Sequence, residues 1–276
     1  MSALSLSLSL PVVGADGAVS RGISPAVADR ILSELAPVAL FSDSVKTVKG
    51  EARGVKTFVQ YLSPSTYLSR YTGLPFRDLC PYATDGCRDA CLGEHSGRMA
   101  FDGPKTARVR RTILFHLAKE RYFAQLCREI EKGIASAERA GMVPVFRLNG
   151  SSDILWEREF PEVFTRFPDV QFYDYTKVPL RYRRDLPSNY WLTFSRSGAN
   201  DTACVEALDA GNNVAVVFHG TMPETFTFGD REYPVIDGDS HDIRLPAYDG
   251  VGVVVGLKAK GPARNDFHSG FVVHTA

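Results

Sequence analysis

The sequence has no net charge: its 32 Lys plus Arg residues equal its 32 Asp plus Glu residues. Without a global field a protein does not gather nucleic acid or an anionic membrane by bulk attraction, so any such binding has to come from a local patch. Also missing is any apolar run near the roughly 18–20 residues that cross a bilayer. The opening Leu/Ser alternation, Leu4 to Leu10, has no basic n-region and is interrupted by Ser at every step. It suits a strand or a tail better than a secretory signal. Nor is there an even cysteine set. Cys80, Cys87, Cys91, Cys127 and Cys204 are five, whereas a disulfide framework is normally even and spread through a small domain. The pattern implies reduced thiols, hence a cytoplasmic protein with no membrane attachment. Internal repeats and a flexible interdomain linker are absent too.

What is present is globular. Hydrophobic residues make up 44% and charged residues 23% of 276, ample core material for a single α/β domain. Residues 1–53 are weakly patterned, with a short helical stretch around 26–35, and read as an N-terminal extension. Residues 54–63 alternate Val55, Phe58 and Tyr61 with polar neighbours, as a strand does. From 106 to 140, Val109, Ile113, Leu117, Phe123, Leu126, Ile130 and Ile134 fall on one helical stripe, broken near 119–121 and stopped by Gly141. Short β-rich runs at 143–148, 170–175, 190–195, 214–219 and 252–257 then alternate with spacers at 156–167, 179–187, 201–210 and 229–250. Their continuous apolarity implies strands buried on both faces, and the alternation implies right-handed βαβ units in a parallel sheet. About six strands fall short of the eight of a closed barrel. The expected architecture is a partial (β/α)6 barrel-like parallel sheet over 54–276.

Polar residues cluster where these strands end: Asn149-Gly-Ser-Ser-Asp153, Asp174-Tyr-Thr-Lys177, Ser195-Arg-Ser-Gly-Ala-Asn200 and Lys258-Ala-Lys-Gly261. In parallel α/β folds the ligand sits beyond the carboxyl ends of the strands, so four such ends converge on one site. Asp153 is placed to bind an amine or act as a base, or else to cap the helix beginning near Leu155. Asp174 and Lys177 flank the next strand end as an acid–base pair or as a salt bridge. Ser195, Arg196 and Asn200 suit a carboxylate or phosphate. Lys258 and Lys260 suit an anionic ligand, or are simply exposed lysines. His219 is a weaker acid–base candidate. The run Asp237, Asp239, His241 and Asp242 matches no calcium-loop spacing and reads as a solvated turn.

The densest chemistry is Cys80-Pro-Tyr-Ala-Thr-Asp-Gly-Cys87-Arg-Asp-Ala-Cys91. A soft metal needs several thiolates drawn together, and a glycine-bearing loop can fold to do so. Structural zinc usually takes paired C-x2-C knuckles and a distant second pair. Three thiolates alone leave one coordination position free, unless His95 closes a Cys3His zinc site. Cys127 and Cys204 read as core residues. Arg98, Lys105, Arg108, Arg110, Arg111, Lys119 and Arg121, with Arg181, Arg183 and Arg184, read as a solvated basic face or as a phosphate-binding rim. Basic charge at a helix N-terminus opposes the macrodipole unless an anion sits there.

Cys80-Pro, Gly86-Cys87, Cys91, the basic helical segment, Arg147-Leu-Asn-Gly-Ser-Ser-Asp153 and Phe172-Tyr-Asp-Tyr-Thr-Lys177 together resemble the phage gene product 88 family. The likeness covers 78–200 closely and 255–261 with 270–273 more loosely. At greater distance the organisation resembles radical S-adenosylmethionine enzymes, partial barrels whose cluster cysteines follow the first strand. That resemblance implies a [4Fe-4S] cluster on Cys80, Cys87 and Cys91. It also implies S-adenosylmethionine held at its amino group by Asn149, Gly150, Ser151, Ser152 and Asp153, and a nucleotide, nucleic acid or related metabolite as substrate. The spacing departs from the superfamily, C-x6-C-x3-C here against C-x3-C-x2-C, and Leu92 stands where an aromatic is common. Two other readings stay open: a zinc-containing barrel acting on DNA as a transglycosylase with an Asp153 or Asp174 nucleophile, and a non-catalytic nucleic-acid-binding module with a structural metal.

Overall fold

The computed structural model describes residues 23–42, 45–95, 97–179 and 186–276; the Leu/Ser repeat and Arg181, Arg183 and Arg184 lie outside them. Among the described residues ten strands join one sheet. They are β1 (Phe41–Ser42), β2 (Val55–Gln60), β3 (Val143–Arg147), β4 (Gln171–Thr176), β5 (Tyr190–Ser195), β6 (Val214–His219), β7 (Thr225–Phe228), β8 (Arg231–Asp237), β9 (Val254–Lys258) and β10 (Val272–His274). Across the sheet they run β1-β2-β3-β4-β5-β6-β9-β8-β7. From β2 through β6 to β9 every neighbour is parallel, which is the parallel α/β sheet expected from the alternating runs.

Each strand from β2 to β6 lies beside its predecessor in the chain, so the order never reverses and their carboxyl ends share one edge. The sheet is open. Its outermost strands, β1 and β7, are antiparallel to their neighbours, and no pairing joins them. β5 pairs only with the start of β6, Phe194 opposite Val214, while β10 pairs with its end, Val272 opposite Val217. A gap therefore opens between β5 and β6 at the carboxyl edge, and the C-terminal segment enters it.

Period-two alternation separates the two faces. Phe146, Phe172 and Leu192 pack outward with Leu126, Ile130, Trp156 and Phe164, beneath the helix Lys119–Arg139 and the short helices Trp156–Glu159 and Glu162–Arg166. Val55, Val145, Tyr173 and Trp191 face the other way, against Ile243 and Leu245. The next positions of that second parity, Arg147, Tyr175 and Ser195, remain to line a cavity. The long helical stripe divides into Asp102–Leu117 and Lys119–Arg139 at Ala118, whose φ of -142 leaves the helical region.

Where it is described, the stretch before residue 54 packs on the rest of the domain: β1 pairs with β2, and Ile31 is buried with Leu68, Val109 and Ile113. The 229–250 spacer is only partly a loop, because β7 and β8 form a hairpin around Gly229 and Asp230, with Phe228 opposite Arg231. Thr225-Phe-Thr-Phe228 followed by a two-residue glycine turn was the signal for it.

Gly133 lets the helix lie close on the sheet, since a Cβ there would stand 2.8 Å from Phe146 Cζ and 3.3 Å from Phe58 Cε2. Gly133→Val should overpack this contact and lower stability by about 1–3 kcal/mol, read as a lower denaturant midpoint; an unchanged midpoint would contradict the packing.

Candidate functional site

The cysteine loop is folded by its own polar residues. Cys80 N–H donates to Asp78 Oδ1 at 2.7 Å, and Arg88 ties Asp78 Oδ2 (3.0 Å) to the Cys80 carbonyl (3.4 Å). Thr84 caps the turn Asp85–Asp89 by accepting from Cys87 N–H, as short hydroxyl side chains do at helix starts. Glu94, buried, then holds Arg108 at 3.2 Å and Lys105 at 3.1 Å, anchoring the loop to the helix Asp102–Leu117.

Cys80, Cys87 and Cys91 line one cavity of about 230 Å³ together with the 149–153 turn, Thr176, Lys177, Ser195, Lys258 and Lys260. All four predicted strand ends thus meet the thiols. Positive or N–H groups lie near the sulfurs. Ser65 N–H reaches Cys80 Sγ at 3.3 Å, the backbone N–H groups of Gly93 and Glu94 act to lower the Cys91 thiol, and the Lys177 ammonium interacts electrostatically with Cys87. Burial raises the Cys80 and Cys91 thiols above their ordinary range, and the neighbouring thiols add to it. Burial alone would lower Lys177; the Cys87 thiol and the Asp153 carboxylate outweigh it and hold the ammonium above its usual value. Among the described residues no three His, Cys, Asp or Glu side chains make a set for a single metal ion. His95, the alternative fourth ligand, has its ring engaged by Tyr67 OH at 2.7 Å and is not on the cavity wall.

The 149–153 turn is a fixed wall. A Cβ on Gly150 would meet Gln60 O at 2.5 Å, and its N–H donates to that oxygen. Ser151 Oγ donates to Leu62 O at 2.6 Å, Ser152 Oγ to Asn149 Oδ1 at 2.9 Å. Asn149 Oδ1 also accepts from Ile154 N–H and Trp156 Nε1. Asp153 does not cap a helix; it accepts from Thr176 Oγ1 and Lys177 N–H, both at 2.7 Å, and so joins the ends of β3 and β4.

Other predicted residues are placed differently. Asp174 is fully buried, accepts from Asn149 N–H (2.7 Å) and Tyr190 OH (2.8 Å), and lies off the cavity wall. Its parity in β4 takes it off the cavity wall, with the Arg147 Nε 4.0 Å from its Oδ1. Asn200 braces its own loop, accepting from Ser197 N–H and donating to Ser195 O, and does not reach the cavity. Arg196 pairs with Asp201 at 2.9 Å and donates to Gly270 O at 2.7 Å. Lys260 pairs with Asp239, whose other oxygen accepts from Lys258 N–H. The 237–242 run is not a solvated turn throughout, because His241 and Asp242 are buried and Asp242 pairs with Arg147 at 3.1 Å.

The basic segment is the larger correction. Arg108 and Arg111 are buried rather than solvated. With Arg98 they line a second chamber of about 750 Å³ that shares Gly93, Gly150, Lys177 and Phe271 with the thiol cavity. Arg147, not singled out from the sequence, crosses its floor over the Tyr175 ring at 4.7 Å. Burial pushes the Tyr175 phenol up to about 12. Arg147 could have been found by counting two residues back from Asn149, on the same strand parity.

The family model for Gene product 88 matches residues 42–275, from β1 through β10. The chain is a member of the phage Gene product 88 family. No curated protein and no solved structure matches it. The family match takes in the cysteine loop, all four strand-end turns and the basic chamber of this Gene product 88 protein. No helix among its described residues is long and apolar enough to cross a membrane.

Replacing Asp174 by Asn should therefore act on the fold. We expect a stability loss of about 1.5–3 kcal/mol, the value of hydrogen bonds to a charged acceptor, with the metal content of the folded protein unchanged. Full stability with altered metal content would return Asp174 to the site.

Proposed function

We propose that this Gene product 88 protein is an iron–sulfur enzyme in which Cys80, Cys87 and Cys91 hold a [4Fe-4S] cluster, in the manner of radical S-adenosylmethionine enzymes. One observation carries the reading: three thiols from a single short loop line one cavity with the carboxyl ends of a parallel strand series. A cluster is several atoms across and spaces its thiolates more widely than one ion does. The three cysteines of this one loop lie on the wall that the strand ends complete, which is the arrangement such a cluster would use. Hydrogen bonds to the sulfurs are among the protein's means of tuning such a cluster, and Cys80 Sγ has one from Ser65 N–H.

The chain's own contribution follows from its geometry. Lys177 places positive charge beside Cys87 and Cys80, offsetting the negative charge of thiolates that have released their protons to a metal. The 149–153 turn, fixed beside Cys80, is where the amino group of S-adenosylmethionine would lie on this reading. When bound, the cluster supplies one-electron chemistry that no amino-acid side chain in the cavity provides. A nucleic-acid-binding module is less well supported, because Arg108 and Arg111 point into the molecule instead of forming an outer face. The transglycosylase reading loses one nucleophile with Asp174 buried, and its other, Asp153, is engaged by Thr176 and Lys177.

Anaerobic reconstitution with iron and sulfide, followed by visible absorbance, EPR and elemental analysis, tests this directly. The expected result is a brown protein with about four irons per chain for a [4Fe-4S] centre. Cys80→Ser, Cys87→Ser and Cys91→Ser should each remove most of the iron, while Cys127→Ser and Cys204→Ser retain it. A colourless protein carrying stoichiometric zinc refutes the proposal.

A further inference from the structure

The 750 Å³ chamber is far from neutral although the chain is. Its walls carry seven cationic side chains and one carboxylate, that of Asp242. Most of the cations have counter-charges: Arg108 has Glu94, Arg147 has Asp242, Arg196 has Asp201 and Lys260 has Asp239. Arg98 and Arg111 have no ion pair among the described residues. Arg111 is buried, and among the described residues its guanidinium donates to the carbonyls of Ala39 (2.6 Å) and Tyr61 (3.4 Å). Arg108 is buried too, and among the described residues its Nε has no hydrogen-bond partner.

The location adds to the imbalance. Gly103 and Pro104, in the first turn of the sixteen-residue helix Asp102–Leu117, are on the chamber wall, so that the positive end of its macrodipole opens there. Arg98, Lys105 and Arg108 are gathered at that same end, against the dipole. Glu94 offsets Lys105 and Arg108, which leaves Arg98 and the helix dipole as uncompensated positive charge at the chamber that an anion would offset. A carboxylate is satisfied by one bidentate arginine, whereas several guanidinia around a helix start match the oxygens of a phosphoryl group. The volume falls within the range of pockets that enclose whole small ligands.

We infer that this chamber binds the phosphate group of an organic phosphate of up to nucleotide size, through Arg98, Arg108 and Arg111, with the rest of the ligand directed toward the thiol cavity. The inference deepens the iron–sulfur reading by naming the substrate class of that same site, and the binding itself does not require the cluster.

Calorimetric titration of the full chain with the four deoxynucleoside 5′-monophosphates, the matching deoxynucleosides and inorganic phosphate is the test, with iron content measured on the same samples. At least one monophosphate should bind ten-fold or more tightly than its nucleoside, and inorganic phosphate should compete with it. Arg98→Gln, at an exposed side chain, should weaken that binding about ten-fold, and Arg111→Gln should do the same if it folds. Arg166→Gln, which removes an exposed charge paired only with Glu131 outside the chamber, should leave it unchanged. Equal affinity for nucleotide and nucleoside, no binding of any phosphate, or binding indifferent to Arg98→Gln would overturn the inference. Phosphate binding by protein that takes up no iron would sink the cluster reading alone; iron-loaded protein that ignores phosphate would sink this one alone.

Discussion

The cysteine loop reaches the strand ends because three side chains are missing. A Cβ on Gly93 would stand 2.5 Å from the Ser151 Cβ, and one on Gly86 would stand 2.0 Å from Ser269 Oγ. One on Gly150 would strike the Gln60 carbonyl at 2.5 Å. Separations this short are closer than non-bonded atoms tolerate, so each glycine marks a place where two segments meet backbone against neighbour. Through these contacts the loop, the β3 turn, the end of β2 and the C-terminal segment become one wall. None of the three has a positive φ; their requirement is close approach, not backbone conformation. Remove that approach and the thiols part from the strand ends, whatever else in the fold survives.

Much of this was legible in the sequence, and what was not has physical causes. The strand runs were continuously apolar because both sheet faces are covered, by Leu126, Ile130 and Trp156 on one side and by Ile243 and Leu245 on the other. That same continuity hid which residues face the site. Parity resolves it: Arg147, Tyr175, Lys177 and Ser195 share the cavity side, while Asp174, one residue before Tyr175, turns to Asn149 and Tyr190. A polar residue at a strand end is a site candidate only when its alternation points inward. Asn200 shows a second limit, since an amide near a helix start satisfies its own loop before it serves a ligand.

Charge was the least legible quantity. A cluster of arginines is ordinarily a solvated face, and composition cannot tell an outer surface from the lining of a chamber. The helix Asp102–Leu117 holds the answer in its burial. Arg108, Val109 and Arg111 through Phe115 are all buried, so its faces are covered almost all round. Val109 and Ile113 meet one apolar cluster, and Leu114 and Phe115 another. The remaining covered face carries arginines, and a covered cationic face has to find its compensation within the protein or in a ligand. Glu94 is that compensation for Arg108, and it is also the residue that couples this helix to the cysteine loop.

Lys177 connects the two chambers. It lies on the wall of both, its ammonium interacts electrostatically with Cys87 and stands 5.6 Å from the Phe271 ring centre, and Asp153 holds its backbone N–H. Its position follows from the strand: it is the residue immediately beyond β4, on the parity of Tyr173 and Tyr175. A cation held there cannot be neutral toward either side. Negative charge on the sulfurs makes it a weaker attractor for an anion in the larger chamber, and an anion in that chamber competes with the sulfurs for it. The electrostatics of thiols and basic chamber are therefore one system, with the protonation or metallation of the cysteines and the occupancy of the arginine wall drawing on the same ammonium.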